Sequence, residues 1–346
     1  MKKGFSANLD LLRAIAVTLV LTQHLCRRVH VEHLSWIPTT SLGYFGVLLF
    51  FVHTSLVLMY SLERARLSGP PLFIDFYVRR IFRIYPLSIL AVTVAVLLHL
   101  ESDINGTAGL SFGTLPPKYQ ILSQLLLVQN LVFVKSIVNV LWSLPFEVQM
   151  YAFLPLLFIW IHRKRMLWPL LLLWAVSVVA AVAQTHIHAL SRLSLLAYVP
   201  NFLPGVIAYK LPHRVRLKSF LWPIFVLLLI LVFTTHPALG LGWALCLILG
   251  LLMPCFGEIT TPWLRVAANR VATYSYGIYI SHQFCIWIAL GLLASHSLWI
   301  RMIVLIGLLV VLPLVLYYAI EKPMIKLGAR LARRWSERPL AVPVAA

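Results

Sequence analysis

Charge is scarce in this chain and negative charge scarcest: 11% of residues are charged, and only 10 are acidic against 29 Lys and Arg. A soluble domain carries roughly 25% charged residues. With 61% apolar residues, the composition excludes a soluble globular fold and indicates an all-α, polytopic membrane protein. Cysteine is also sparse. Cys26, Cys246, Cys255 and Cys285 lie in or beside apolar runs without ligand spacing, which excludes a disulfide framework and leaves them as small core residues. No Walker sequence or dinucleotide glycine fingerprint occurs. NGTAGLSFG, around Asn105, lacks the strand-then-helix context that makes such glycines informative. No linker or internal repeat is visible, so residues 1–330 read as one membrane domain and 331–346 as a basic, partly disordered cytoplasmic tail.

What is present is a series of apolar runs. Ten are read as spans: 9–26, 42–60, 84–100, 141–161, 167–184, 195–210, 220–235, 238–256, 272–294 and 301–321, most near the ~20 residues a bilayer requires. The first contains Arg13 and ends in Cys26-Arg27-Arg28 without a small-residue cleavage site, so it is expected to remain as an anchor. With both termini cytoplasmic, 22 Lys and Arg fall inside and 6 outside, Arg13 left out, the expected positive-inside bias. A net charge of +19 therefore reflects membrane orientation, and no nucleic-acid partner is expected. The stretch 121–134 reverses that bias if counted as a span, and is read instead as an interfacial or re-entrant helix in the outer loop 101–140. The basic tail after Glu321 is expected to begin as a surface helix against anionic lipid.

Ionisable residues inside spans are read as functional by default. In LDLLRAIAVTLVLTQHL, Arg13 and His24 are separated by eleven residues, which places them on one helix face about 16 Å apart along the axis. Asp10 falls near the same stripe. A wet cavity within a bundle of about ten helices is the simplest home for such a face. FYVRRIFRIYP gathers Arg79, Arg80 and Arg83 on one side of a helix where span three is expected to enter the membrane. Such forks suit a cytoplasmic polyphosphate such as a nucleotide or coenzyme A; spacing alone favours ordinary positive-inside anchors on lipid phosphates.

WSLPFEVQMY opens span four with Glu147, expected at the depth of His24, where it orients the imidazole or an acceptor hydroxyl, or else pairs with an arginine. Tyr151, one turn on, either adds a hydroxyl there or is a buried aromatic. YSYGIYISH places Ser275, Tyr276, Tyr279 and His282 in span nine; His282 and, in span two, His53 read either as hydrogen-bonded core histidines or as site residues. His30, His33, His186 and His188 lack metal-site spacing, and no metal is expected.

Together these segments resemble the acyltransferase 3 family of bacterial integral-membrane acyltransferases, which includes O-acetylases of surface polysaccharides. LDLLRAIAV with His24, GVLLFFV, RRIFRIYP, WSLPFEVQMY, SYGIYISH and EKP at 321–323 are similar to the family's motifs in order along the chain. The resemblance implies that Arg13 and His24 are the essential pair, that Arg80 and Arg83 help bind an acyl-CoA donor, most simply acetyl-CoA, and that Glu147 belongs to the active-site region. Two positions depart from the pattern: Leu11 replaces a common glycine, and His53-Thr54-Ser55 replaces leucine, serine and glycine. The second departure alters helix packing or pocket shape.

The expected reaction is transfer of an acyl group from cytoplasmic acyl-CoA to a hydroxyl of a cell-surface or lipid-linked glycan, in a bacterial inner membrane. His24 acts as general base or briefly carries the acyl group. Arg13 stabilises an oxyanion or positions the donor. The alternatives are a transporter or flippase for a lipid-linked sugar or small anion, or an acyltransferase using succinyl or another acyl group or a macrolide acceptor.

Overall fold

The computed structural model describes residues 6–100, 115–163, 166–187, 190, 192–212 and 217–336, and it is 80% helical. The helices run in order as α1 (Ala7–Arg28), α2 (Thr39–Ala65), α3 (Pro70–Leu97), α4 (Lys118–Leu125), α5 (Leu144–Arg163) and α6 (Trp168–His186). They continue as α7 (Val199–Lys210), α8 (Leu221–Thr235), α9 (Leu239–Leu252), α10 (Pro262–Trp287), α11 (Leu298–Leu316) and α12 (Lys322–Ser336). A two-residue hairpin, His33–Leu34 with Ile37–Pro38, joins α1 to α2. The loop around Asn105, His188 and the tail beyond Ser336 lie outside the described residues.

The start of α1 is fixed by a polar clamp. Ser6 Oγ accepts from the Leu9 amide at 3.3 Å and donates to Glu258 Oε1 at 2.7 Å, capping the first turn. Asn8 donates to the Gly257 carbonyl at 3.0 Å and accepts from the Ile259 amide at 3.1 Å. The buried Trp222 indole donates to the Asn8 carbonyl at 3.1 Å. These bonds set the height and rotation of α1, and hence of every side chain on its polar face.

Helices α1 and α2 then approach at two glycines. A Cβ on Gly46 would lie 2.7 Å from the Ala16 carbonyl oxygen, and one on Gly43 would lie 1.9 Å from Gln23 Oε1. Lipid tails are as apolar as leucine, so close backbone contact through small residues replaces the hydrophobic drive between helices. On its other side α2 meets α7: Ser55 Oγ donates to the Phe202 carbonyl at 2.6 Å, and Gly205 leaves the space that hydroxyl occupies. The departure at 53–55 is therefore accommodated at this crossing, where the facing helix supplies the glycine. Phe45 on Phe233 and Phe51 on Phe202, with ring centroids 4.7 and 4.3 Å apart, fill the core around α2.

Among the described residues six helices are long and apolar enough to cross a membrane: α1, α2, α3, the Asn139–His162 segment containing most of α5, α6, and the continuous Leu298–Ser336 helix. The all-α membrane architecture is thus met, with six of the expected spans reaching full length as single apolar helices. The runs at 195–210, 220–235 and 238–256 form α7, α8 and α9, of 12, 15 and 14 residues. At 1.5 Å per residue these α-helical stretches alone span about 22 Å or less, against a ~30 Å hydrocarbon core, and α9 continues as one apolar helix to Cys255. The run at 272–294 falls in α10, which starts at Pro262, carries Arg265 and Arg270, and widens into a π turn at Ile288–Leu292.

Three local expectations also change. Helix α3 begins at Pro70, after Gly69 at φ +61°, well before the expected span at 84–100, so the arginines lie two to four turns inside the helix; paired prolines suit a helix start, where amides need no partner. The stretch 121–134 is helical only to Leu125. It continues as turns with buried Leu127 and Gln129, held by Gln129 Nε2 on the Leu141 carbonyl at 3.0 Å and by Gln120 and Gln124 on the Lys135 carbonyl. Non-helical backbone of this kind survives inside a membrane protein when side chains satisfy it. Helix α12 runs through residue 330 unbroken and packs along α3, with Gly328 against Phe82, so its first turns are docked on the bundle and do not lie free on a membrane surface.

Candidate functional site

Two cavities follow the polar face of α1. The first, of about 310 Å³, lies among α1, α2, α3, α5 and α10 and is lined by Arg13, Arg79, Arg80, Arg83, Glu147 and Tyr151, with His53, Ser275, Tyr276 and Tyr279. The second, of about 570 Å³, is lined by Gln23, His24 and Arg27 of α1, Thr40, Ser41 and Tyr44 of α2, and Asn139, Trp142 and Tyr279.

The arginines of the first cavity differ in how they are held. Arg79 Nε lies 2.8 Å from both carboxylate oxygens of Asp75, one helical turn back. Arg83 Nη1 pairs with Glu321 Oε1 at 2.5 Å, and its guanidinium stands 5.9 Å above the Tyr276 ring. Tyr276 is itself anchored, its hydroxyl donating to the Ile84 carbonyl at 2.6 Å. Arg13 and Arg80 each keep a buried Nε with no hydrogen-bond partner. An unsatisfied buried donor costs about 1–3 kcal/mol, so these two atoms mark an unmet capacity for an acceptor. Glu147 accepts a hydrogen bond from the Tyr151 hydroxyl and lies within electrostatic reach of Arg13, Arg80 and Arg83. The side chain of His53 is buried within reach of the Arg13 charge, and Ser275 bonds the Ala272 carbonyl of its own helix at 2.8 Å.

In the second cavity the His24 ring stands 5.1 Å from that of the buried His282. His282 Nδ1 is 3.0 Å from the Ile278 carbonyl, which can only accept, so that nitrogen is the donor and the unpartnered Nε2 carries the lone pair. Arg27 adds a positive charge beside His24.

The structure thus brings Arg13, Arg79, Arg80, Arg83, Glu147, Tyr151, His53, Ser275 and Tyr276 to one cavity, and joins His24 with His282 at the other. Two placements bear on the sequence reading. Glu147 lines the arginine cavity and not the one lined by His24, within electrostatic reach of Arg13, Arg80 and Arg83, which is the arginine alternative of the sequence reading. Asp10 lines neither cavity, and its Oδ2 accepts from Asn269 Nδ2 on α10 at 2.9 Å. The partners Asp75, Glu321 and Asn269 were not singled out as site residues. Asp75 was detectable as an acid four residues before Arg79 on one helix; Glu321 was visible only as part of EKP, and its partner lies more than two hundred residues away.

A family model described as an acyltransferase domain matches residues 6–320, nearly the whole chain. The chain belongs to the acyltransferase 3 family. It is therefore a membrane acyltransferase, and the lining of both cavities of this acyltransferase, Ile325 apart, falls within the matched region. No curated protein and no solved structure gives a match to the chain.

Proposed function

We propose that this acyltransferase moves an acyl group, acetyl foremost, from cytoplasmic acyl-CoA to a hydroxyl of a cell-surface or lipid-linked glycan, in a bacterial inner membrane with both termini in the cytoplasm. The observation that carries this reading is the pair of buried, unpartnered guanidinium nitrogens of Arg13 and Arg80 in a cavity one level below the His24 and His282 rings. A thioester donor with a polyphosphate head requires that separation: cations for the phosphates, and a base some distance along the arm.

In this scheme Arg80 and Arg83 hold the CoA phosphates, and Arg79, tied to Asp75, frames the mouth. Glu147, hydrogen-bonded to Tyr151, keeps the guanidiniums oriented. Arg13 neutralises a phosphate or the developing oxyanion. The acceptor oxygen attacks the thioester carbonyl, a C–O bond forms as the C–S bond breaks, and the hydroxyl proton passes through the His24 imidazole to the departing thiolate. On a two-step route His24 attacks first and the acyl group rests on its ring before passing to the acceptor. His282 packs its ring at a tilt against His24 and holds its position in either route.

The test is purified protein in lipid nanodiscs with radiolabelled acetyl-CoA and a membrane glycan extract. Label in a glycan product is expected. Absence of product with acetyl, succinyl and longer acyl-CoA donors, alongside transport of the sugar itself, would replace the enzyme reading by a flippase. Mass spectrometry of surface glycans with and without the gene identifies acceptor and acyl group, a macrolide acceptor included.

A further inference from the structure

Among the described residues only two, Val47 of α2 and Tyr279 of α10, line both cavities. Each is almost fully buried, at 3% and 6% exposure, and between them they separate the arginine level from the histidine level. We infer that Val47 and Tyr279 form the aperture through which the acyl end of the donor reaches His24, and that the aperture limits transfer to short acyl groups. The inference rests on the proposed function, since it assumes a donor head among the arginines and chemistry at the imidazole.

Both walls are held from several sides. The Tyr279 hydroxyl lies 2.7 Å from Ser143 Oγ and donates to the Val140 carbonyl at 2.7 Å, while Phe50 meets its ring edge-on at 6.0 Å. Val47 follows Gly46, where α2 already touches the α1 backbone, so this stretch of α2 has no room to retreat. Val47 is β-branched, with little rotamer freedom in a helix. A fixed ring facing a stiff branched side chain makes a gap whose width does not adapt. Interiors packed in this way resist added methylenes. A two-carbon acyl group has little bulk beyond its carbonyl, whereas each further methylene must displace one of these walls.

The test measures kcat/KM for acetyl-, propionyl-, butyryl- and hexanoyl-CoA with the glycan extract as acceptor, for wild type, Val47→Ala, Val47→Leu and Tyr279→Phe, together with equilibrium binding of free CoA. Val47→Ala is expected to raise the butyryl-to-acetyl ratio about tenfold or more, the scale of methylene discrimination in an apolar pocket. Val47→Leu is expected to lower acetyl transfer while CoA affinity stays within about twofold, because the arginines are untouched. Tyr279→Phe, which frees the ring from Ser143 and Val140, is expected to relax chain-length preference less than Val47→Ala. An unchanged donor profile in all three variants, with CoA binding intact and wild type active, overturns the aperture and leaves the proposed function standing. A wild type that transfers no acyl group from any donor overturns both.

Discussion

The arginine cavity and the histidine cavity share α1, α2 and α10 and are built from opposite materials. The lower one concentrates four guanidiniums and answers them incompletely: Asp75 holds Arg79, Glu321 holds Arg83, and Arg13 and Arg80 retain buried donors without partners. The upper one is lined largely by neutral polar and aromatic groups with the His24 imidazole, tilted against the buried His282 ring, and with Arg27. A surplus of fixed cations binds an anion but moves no proton, whereas a neutral imidazole moves protons and binds polyphosphate poorly. Under the proposed function, the difference divides one polar stripe on one helix into a binding half and a reacting half.

That division breaks most visibly at its upper end. His24→Ala is expected to lower acyl transfer by about a thousandfold, within the range for loss of a general base, with CoA binding preserved in an equilibrium assay. If the variant keeps near wild-type transfer, the reacting half has been assigned to the wrong cavity.

The next largest effect belongs to Glu321, 1% exposed and paired with Arg83. Removing one member of a buried pair leaves a charge uncompensated and costs about 3 kcal/mol or more. Glu321→Gln should therefore lower the thermal unfolding temperature of the ligand-free protein, and saturating CoA should recover part of the loss, because phosphate then serves as the counterion for Arg83. No recovery on adding CoA would separate Arg83 from the donor site.

Replacing both Arg80 and Arg83 with Ala should raise the KM for acyl-CoA about thirtyfold with a smaller change in kcat, the pattern of lost ground-state binding. Equal falls in kcat and kcat/KM would instead move these arginines to the reacting half. The smallest effect tests what the two halves have in common. Gly46→Ala forces a methyl group against the Ala16 carbonyl, which should cost about 1–2 kcal/mol of stability and reduce donor affinity and turnover together, since Arg13 and His24 ride on the same helix. A change confined to one of the two would mean that α1 does not couple the cavities.

Much of this arrangement is legible before folding. Hydropathy and charge distribution identify the membrane class, and the eleven-residue interval between Arg13 and His24 places both on one face, because a helix repeats at that spacing wherever it sits. The arginine cluster is readable for the same reason. The placement of Glu147 is not. Glu147 follows a non-helical loop in which Gln120, Gln124 and Gln129 bond the Lys135 and Leu141 carbonyls, and nothing periodic in the sequence encodes that path. The meeting of His24 with His282 and of Arg83 with Glu321 likewise depends on contacts between segments far apart in the chain.

By itself, then, the sequence determined that this is a helical membrane protein with Arg13 and His24 on one face of its first helix, and its ordered motifs pointed to the acyltransferase family whose model matches residues 6–320. Local periodicity and composition suffice for that much. Tertiary structure alone decided that the stripe is cut in two at Val47 and Tyr279, which arginines are already neutralised, and which histidine stands behind His24. Those outcomes rest on how closely α1, α2 and α10 approach, and a distance between helices is a property of packed side chains that no single segment contains.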